Sequence, residues 1–139
     1  MEPLDLSKQR PRTTRAELAG ITFLPRSIDK ARATLPGGNA AGYTIEGFTH
    51  TMLEHLGITD EAFIGAVAAA KSDDDVAAYV TEHAAAGGVE RWQAFVLNRE
   101  VYRGNRDEAI AENPWLADHP EITKSLDFLQ YMEDHNLDD

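Results

Sequence analysis

The chain has 139 residues, 42% of them hydrophobic and 27% charged, which is the composition of a globular fold with enough apolar material for one core. It contains no cysteine, so a disulfide framework, a thiolate nucleophile and a cysteine-ligated metal centre are excluded. Its formal net charge is -11, unevenly placed: residues 1–32 hold seven Lys or Arg against four Asp or Glu, and the remainder holds six against twenty. An acidic body of this kind repels phosphate backbones at long range and argues against general nucleic-acid binding.

Residues 1–12 read as a basic, extended N-terminal arm that folds back on the chain's own carboxylates. The arm lacks the apolar stretch of a secretory signal, and no apolar run reaches the ~18 residues of a membrane span. A cytoplasmic protein with no membrane association is expected. Thr14 and Glu17 fit a capping box for a brief helix closed by Gly20. Of the rest, only 21–24 and 43–45 look extended.

Ser27 is a plausible N-cap for a helix over 28–35, stopped by Pro36-Gly37-Gly38. On a helical wheel Ile28, Ala31 and Leu35 define the buried side, Arg32 flanks it and Lys30 lies opposite. Arg32 is therefore expected to lay its stem on the core and pair with Asp29, three residues back. Arg26, just before the cap, lies beside exposed helix-start N–H groups. With Lys30 and the backbone of Gly37 and Gly38 it forms a candidate site for a phosphate or carboxylate. "PGG" also reads simply as a helix stop.

Further helices are expected over 47–56, ended by Gly57, and over 60–71, capped by Thr59. Ser72 and Asp73-Asp74-Asp75 open another over 73–86, where negative charge suits the helix dipole. Gly87-Gly88 separates it from a longer helix over 89–103. Shorter ones follow over 106–112, up to Asn113-Pro114, and over 121–134 after Pro120. Together these predict an all-α fold: a single compact domain over 1–139 of about six to eight short helices in an irregular bundle, with little or no strand.

Few residues advertise chemistry. Glu46, His50 and Glu54 follow i, i+4, i+8, but Glu46 precedes the helix and the stripe faces away from Phe48 and Met52, so no metal site is expected. His83 falls on the apolar face of its helix, where a buried imidazole bonded to a backbone carbonyl is expected. Trp92, Phe95, Arg99 and Tyr102 follow i, i+3, i+7, i+10. They read as core packing with a cation–π contact or as an interaction surface. No P-loop, dinucleotide fingerprint or G-x-S-x-G is present, so catalytic residues are unidentified and no cofactor is expected.

Residues 11–43, with Pro11-Arg12, Arg15, Leu18-Ala19-Gly20, "FLPRSIDKARATLPGGN" and Tyr43, together with "LGI...AF...VA" from residue 56 and "SDDDVAAYVTEHA" from residue 72, resemble a family of small bacterial proteins known only as a domain of unknown function. The resemblance covers the first two-thirds of the chain and loosens after about residue 105. It implies a cytosolic bacterial protein whose most recognisable motif contains Arg26, Asp29, Lys30 and Arg32, and it implies no catalytic residues.

Two functions remain. One is a non-enzymatic binding or interaction module, meeting a protein partner or a small anionic ligand. The other is a small enzyme acting on a phosphorylated or carboxylated metabolite, with Arg26 and Lys30 as an anion clamp and a histidine as base. A concave pocket holding Arg26, Lys30 and a histidine would favour the enzyme.

Overall fold

The structure, a computed structural model, describes residues 1–137. Among these, seven α-helices carry the fold: α1 (Leu24–Ala33), α2 (Phe48–Leu56), α3 (Asp60–Ala69), α4 (Asp73–His83), α5 (Gly88–Asn98), α6 (Arg106–Glu112) and α7 (Ser125–Asp134). One small hairpin precedes them, β1 (Glu17–Leu18) and β2 (Ile21–Thr22), and 3-10 turns occupy Val101–Gly104 and Pro114–Asp118. The fold is mostly α, as the periodicity predicts.

The chain divides into two compact units, Met1–Gln93 and Ala94–Asp139. In the first, α1 to α4 and the start of α5 surround Phe23, Leu24, Ile28, Met52, Leu53, Leu56, Phe63, Val67, Val76, Val80 and Trp92, each at most 1% exposed. The arm packs onto this unit. Leu4 and Leu6 join Ala33 in a small apolar cluster with Ala40 and Tyr43 against them. The Met1 amino group donates to Val67 O and Ala70 O at the end of α3, 2.9 and 2.5 Å away. In the second unit Val101, Ala109, Leu116 and Ile122 form the core, flanked by Ile110, Trp115, Phe128 and Tyr131.

Several helix ends follow local chemistry. Thr59 Oγ1 accepts from Ala62 N, Ser72 Oγ from Asp75 N and Asn105 Oδ1 from Glu108 N, the bonds an N-cap supplies. Gly57, left-handed at φ 72°, closes α2 as expected.

Other expectations fail for tertiary reasons. The helix expected over 14–20 is absent: Ala19 and Gly20 sit at φ 54° and 74°, the pair of left-handed residues that joins strands in a two-residue hairpin. Ser27 is not a cap, because α1 starts three residues earlier. There Phe23 takes φ 78° and Pro25 occupies the first turn. Ser27 is fully buried instead, its hydroxyl 2.8 Å from that of Thr49 on α2. Residues 43–45 form no strand.

The helix over 73–86 stops at His83, since Ala84 turns extended and Ala85 N donates to Leu56 O. The helix over 89–103 stops at Asn98. Beyond it, Arg99 O accepts from Ser125 N, Glu100 bridges antiparallel to Lys124, and Val101 N donates to Thr123 O. The same pairing keeps 121–124 out of the last helix.

Candidate functional site

The charge of the N-terminal segment converges on Arg12. Its backbone N–H and Nε donate to Asp29 Oδ2 at 2.8 and 3.1 Å, and its Nη2 donates to Asp29 Oδ1 at 3.0 Å. The same guanidinium reaches across to Asp73 in the first turn of α4, with Nη1–Oδ2 at 2.6 Å and Nη2–Oδ1 at 3.1 Å. One fork of donors thereby ties the arm, α1 and α4 together, a geometry only arginine supplies. The bond from Arg12 holds the Asp73 carboxyl below the usual range, and the bond to Asp73 raises the guanidinium further above its ordinary value.

This corrects the expected Asp29–Arg32 pair. Asp29, with 7% of its side chain exposed, is held by Arg12. Arg32 instead donates from Nε to Glu2 O at 2.8 Å. The three-residue spacing allowed the pair within one helix, but the returning arm offered a better fork.

Arg26 and Lys30 do come together. Arg26 is 5% exposed and donates from Nη1 to Arg12 O at 3.1 Å. Its Cζ lies 5.8 Å from the ring centroids of both Phe23 and Tyr43. Lys30 Nζ stands 5.6 and 6.0 Å from the same two rings. The loop is engaged with the arm and with the end of α1. Gly38 N donates to Leu35 O, Asn39 N to Leu4 O and Leu6 N to Asn39 O, and Gly37 packs toward Pro3. Of the two loop amides considered for an anion, that of Gly38 thus already serves a carbonyl oxygen.

The expected four-residue stripe is split. Trp92 is fully buried, its indole N–H donating to Thr22 O at 2.8 Å and its ring edge-on to Phe48. It belongs to the core and leaves the candidate surface. Phe95 is half-buried beneath Arg99, whose Cζ lies 5.4 Å from the ring. Tyr102, 41% exposed, sits on the 3-10 turn beyond α5 and donates its hydroxyl to Glu112. Because the helix ends at Asn98, its periodicity cannot extend to residue 102.

The histidines resolve one by one. His50 Nδ1 lies 3.0 Å from both oxygens of Asp60, and its Nε2 lies 3.5 Å from Glu54. The bond and charge of Asp60 push the imidazole pKa up. These side chains rim an open cleft of about 440 Å³ at the α2–α3 corner, lined also by Leu53, Ile58 and Glu61. His83 has the expected backbone acceptor, with Nδ1 2.9 Å from Tyr79 O, but it is exposed and stacks on the Tyr79 ring. The face expected to bury it ends where α4 does.

A grouping absent from the sequence reading lies in the second unit. His119 Nδ1 is 3.0 Å from Glu121 Oε2, and its Nε2 is 3.1 Å from the Tyr131 hydroxyl. Tyr131 stacks on Trp115 at 4.3 Å and on His135 at 3.9 Å. Arg106 fixes the connecting loop by donating to the carbonyls of Leu116, His119 and Ile122. Residues 106, 119, 121 and 131 have no periodic relation, so only the folded loop unites them. Among the described residues, no group of three or more His, Cys, Asp or Glu is arranged to hold a metal ion.

Fold and sites together define a mostly helical acidic protein in which a part-exposed ion-pair clamp ties the N-terminal arm to two helices. The family termed Domain of unknown function (DUF5069) matches residues 8–138, and the chain belongs to it. No curated protein matches the chain.

Proposed function

We propose that the chain is a non-enzymatic binding or protein-interaction module, acting in the bacterial cytoplasm. The observation that carries the reading is the Arg12–Asp29–Asp73 clamp. Three of the motif and arm cations serve the fold: Arg12 holds Asp29 and Asp73, Arg26 is buried and Arg32 is held by the arm. The carboxylates of Glu54, Glu61, Asp74, Asp75, Glu82 and Glu90 remain exposed. An acidic exterior around a helical core favours a protein partner over a phosphate-rich one. With Trp92 in the core, the interaction surface reduces to Phe95, Arg99 and Tyr102. Among the described residues, no helix is long and apolar enough to cross a membrane.

The competing reading, an enzyme acting on a phosphorylated or carboxylated metabolite, has one observation in its favour: Arg26 and Lys30 meet over Phe23 and Tyr43. The α2–α3 cleft, however, is lined by His50, Glu54, Asp60 and Glu61 and contains neither cation.

Thermal unfolding with a panel of nucleotides, sugar phosphates and carboxylates separates the two. A ligand at a hundred times its Kd stabilises by about 2.7 kcal/mol, a shift of several degrees in the midpoint. The module predicts no shift from the panel. A shift that Lys30→Ala removes would establish the anion clamp instead. On the positive side, a photo-crosslinking residue at Tyr102 should capture one discrete protein, and the same residue at Glu17 should not.

A further inference from the structure

The Glu121–His119–Tyr131 grouping is a carboxylate, an imidazole and a phenol in series. Glu121 is ionised at neutral pH, its carboxyl held low by a backbone hydrogen bond and by His119. A carboxylate only accepts, so Nδ1 of His119, 3.0 Å away, carries the proton directed at it. In the neutral ring Nε2 is then a bare acceptor, and the Tyr131 hydroxyl donates to it across 3.1 Å. A nucleophile within reach of a base, the base in turn oriented by a third group, is the arrangement that activates a hydroxyl for covalent chemistry. Both partners are fixed from behind. Arg106 Nη2 donates to His119 O at 2.6 Å, and the Tyr131 ring lies against Trp115, with centroids 4.3 Å apart and planes 15° apart. The grouping lies at the surface: Tyr131 and His119 are half-buried and Glu121 is exposed.

The surroundings choose the electrophile. Arg106 spends both terminal nitrogens on the carbonyls of Ile122, Leu116 and His119, so its fork is not turned to a phosphate. The Glu121 carboxylate beside the imidazole and a net charge of -11 repel an anion. Trp115, stacked on both Phe128 and Tyr131, instead puts an apolar ring beside the phenol. An uncharged acyl group is what this setting accepts.

We infer that Tyr131 is a self-acylating residue, which takes the acyl group of an activated carboxylic ester or thioester with His119 as its base. The phenol oxygen forms a bond to the acyl carbon, and its proton passes to His119 Nε2. The bond from the acyl carbon to the leaving oxygen or sulfur breaks, and the imidazolium returns the proton to that leaving group. An ester of Tyr131 and a free alcohol or thiol remain, with no change of oxidation state. Glu121 stabilises the imidazolium while it lasts and is a positioning residue. The transfer modifies the chain stoichiometrically and needs no turnover, so it goes beyond the interaction-module reading and does not depend on it.

The probe is para-nitrophenyl acetate, mixed with the full chain and followed by release of nitrophenolate and by intact mass. Neutral hydroxylamine removes acetyl from a phenol but not from an amine, so the hydroxylamine-labile mass reports tyrosine rather than lysine. The wild type should gain a single labile acetyl group, placed on Tyr131 by peptide mass. Tyr131→Phe keeps the ring stack and should lose it. Tyr102→Phe should retain it, since the Tyr102 hydroxyl donates to the Glu112 carboxylate, a weaker class of base than imidazole. His119→Gln should slow the labile acetylation about a hundredfold, the usual worth of a positioned base. Glu121→Gln should slow it too while leaving the thermal midpoint unchanged, which a packing role would not do. Labile acetyl spread evenly over the four tyrosines, or unchanged in Tyr131→Phe, overturns the assignment. Acetylation of Tyr131 at the wild-type rate in His119→Gln overturns His119 as the base.

Discussion

Arg12 shows how one side chain decides the local electrostatics. Asp29 is nearly buried, so removing the guanidinium leaves a carboxylate with little water and, of the bonds from residue 12, only the backbone N–H. Arg12→Ala should lower stability by about 1–3 kcal/mol in a denaturant titration, the range being reduced because the guanidinium is itself 39% exposed. The same clamp sets an acid limit. Asp73 has its folded pKa below 3.8, so its contribution is present above that value and is lost as the pH falls through the folded pKa. In Arg12→Ala the midpoint should consequently vary less between neutral and strongly acid pH.

His50 carries the opposite sign. Asp60 raises its folded pKa above 6.5, so the bond stabilises fully below 6.5 and the benefit disappears as the pH rises through the folded value. A proton NMR titration should find the His50 ring titrating above 6.5, and Asp60→Asn should return it toward that value. An unshifted ring in the wild type would show that the exposed pair is screened away.

At the level of elements, helix ends divide into two kinds. Those over 60–69, 73–83 and 106–112 begin at Thr59, Ser72 and Asn105, where one side chain within three residues satisfies the free N–H groups. Such ends are legible because cause and effect are neighbours in sequence. The start of α1 is of the other kind. Phe23 holds a left-handed conformation that costs about 1–3 kcal/mol for a bulky residue. Packing against Phe48 and a bond from Phe23 N to Ala16 O hold it there.

The turn after α1 is equally dependent on contact. A Cβ at Gly38 would sit 2.6 Å from Ala33 O, a backbone atom of the last turn of α1. Gly38→Ala should therefore force the loop from the last turn of α1 and cost about 1–3 kcal/mol, measured as a lower chemical midpoint. Gly42→Ala has open space around it and tests the conformational cost of a left-handed glycine without a clash.

For the whole molecule, the expectation of one domain over 1–139 becomes a statement about cooperativity. Helix α5 (Gly88–Asn98) runs unbroken through the boundary at Gln93 and Ala94. A helix is costly to start and cheap to extend, so its melting on one side favours melting on the other. Calorimetry should accordingly record one transition, with calorimetric and van't Hoff enthalpies equal. Two resolved transitions would make residue 94 a domain boundary.

Composition and periodicity by themselves determined the mostly helical class, the acidic balance and the helix starts at Thr59 and Ser72, because each depends on composition or on residues a few positions apart. They also brought out the family motif. Only the tertiary structure decided which distant residues meet: Arg12 finds Asp73 across 61 residues, Trp92 finds Thr22 across 70, and Tyr131 finds His119 across a loop that Arg106 holds. No spacing rule encodes such pairs, since they arise when burial of apolar faces carries distant polar groups within reach and each buried group must then find a partner.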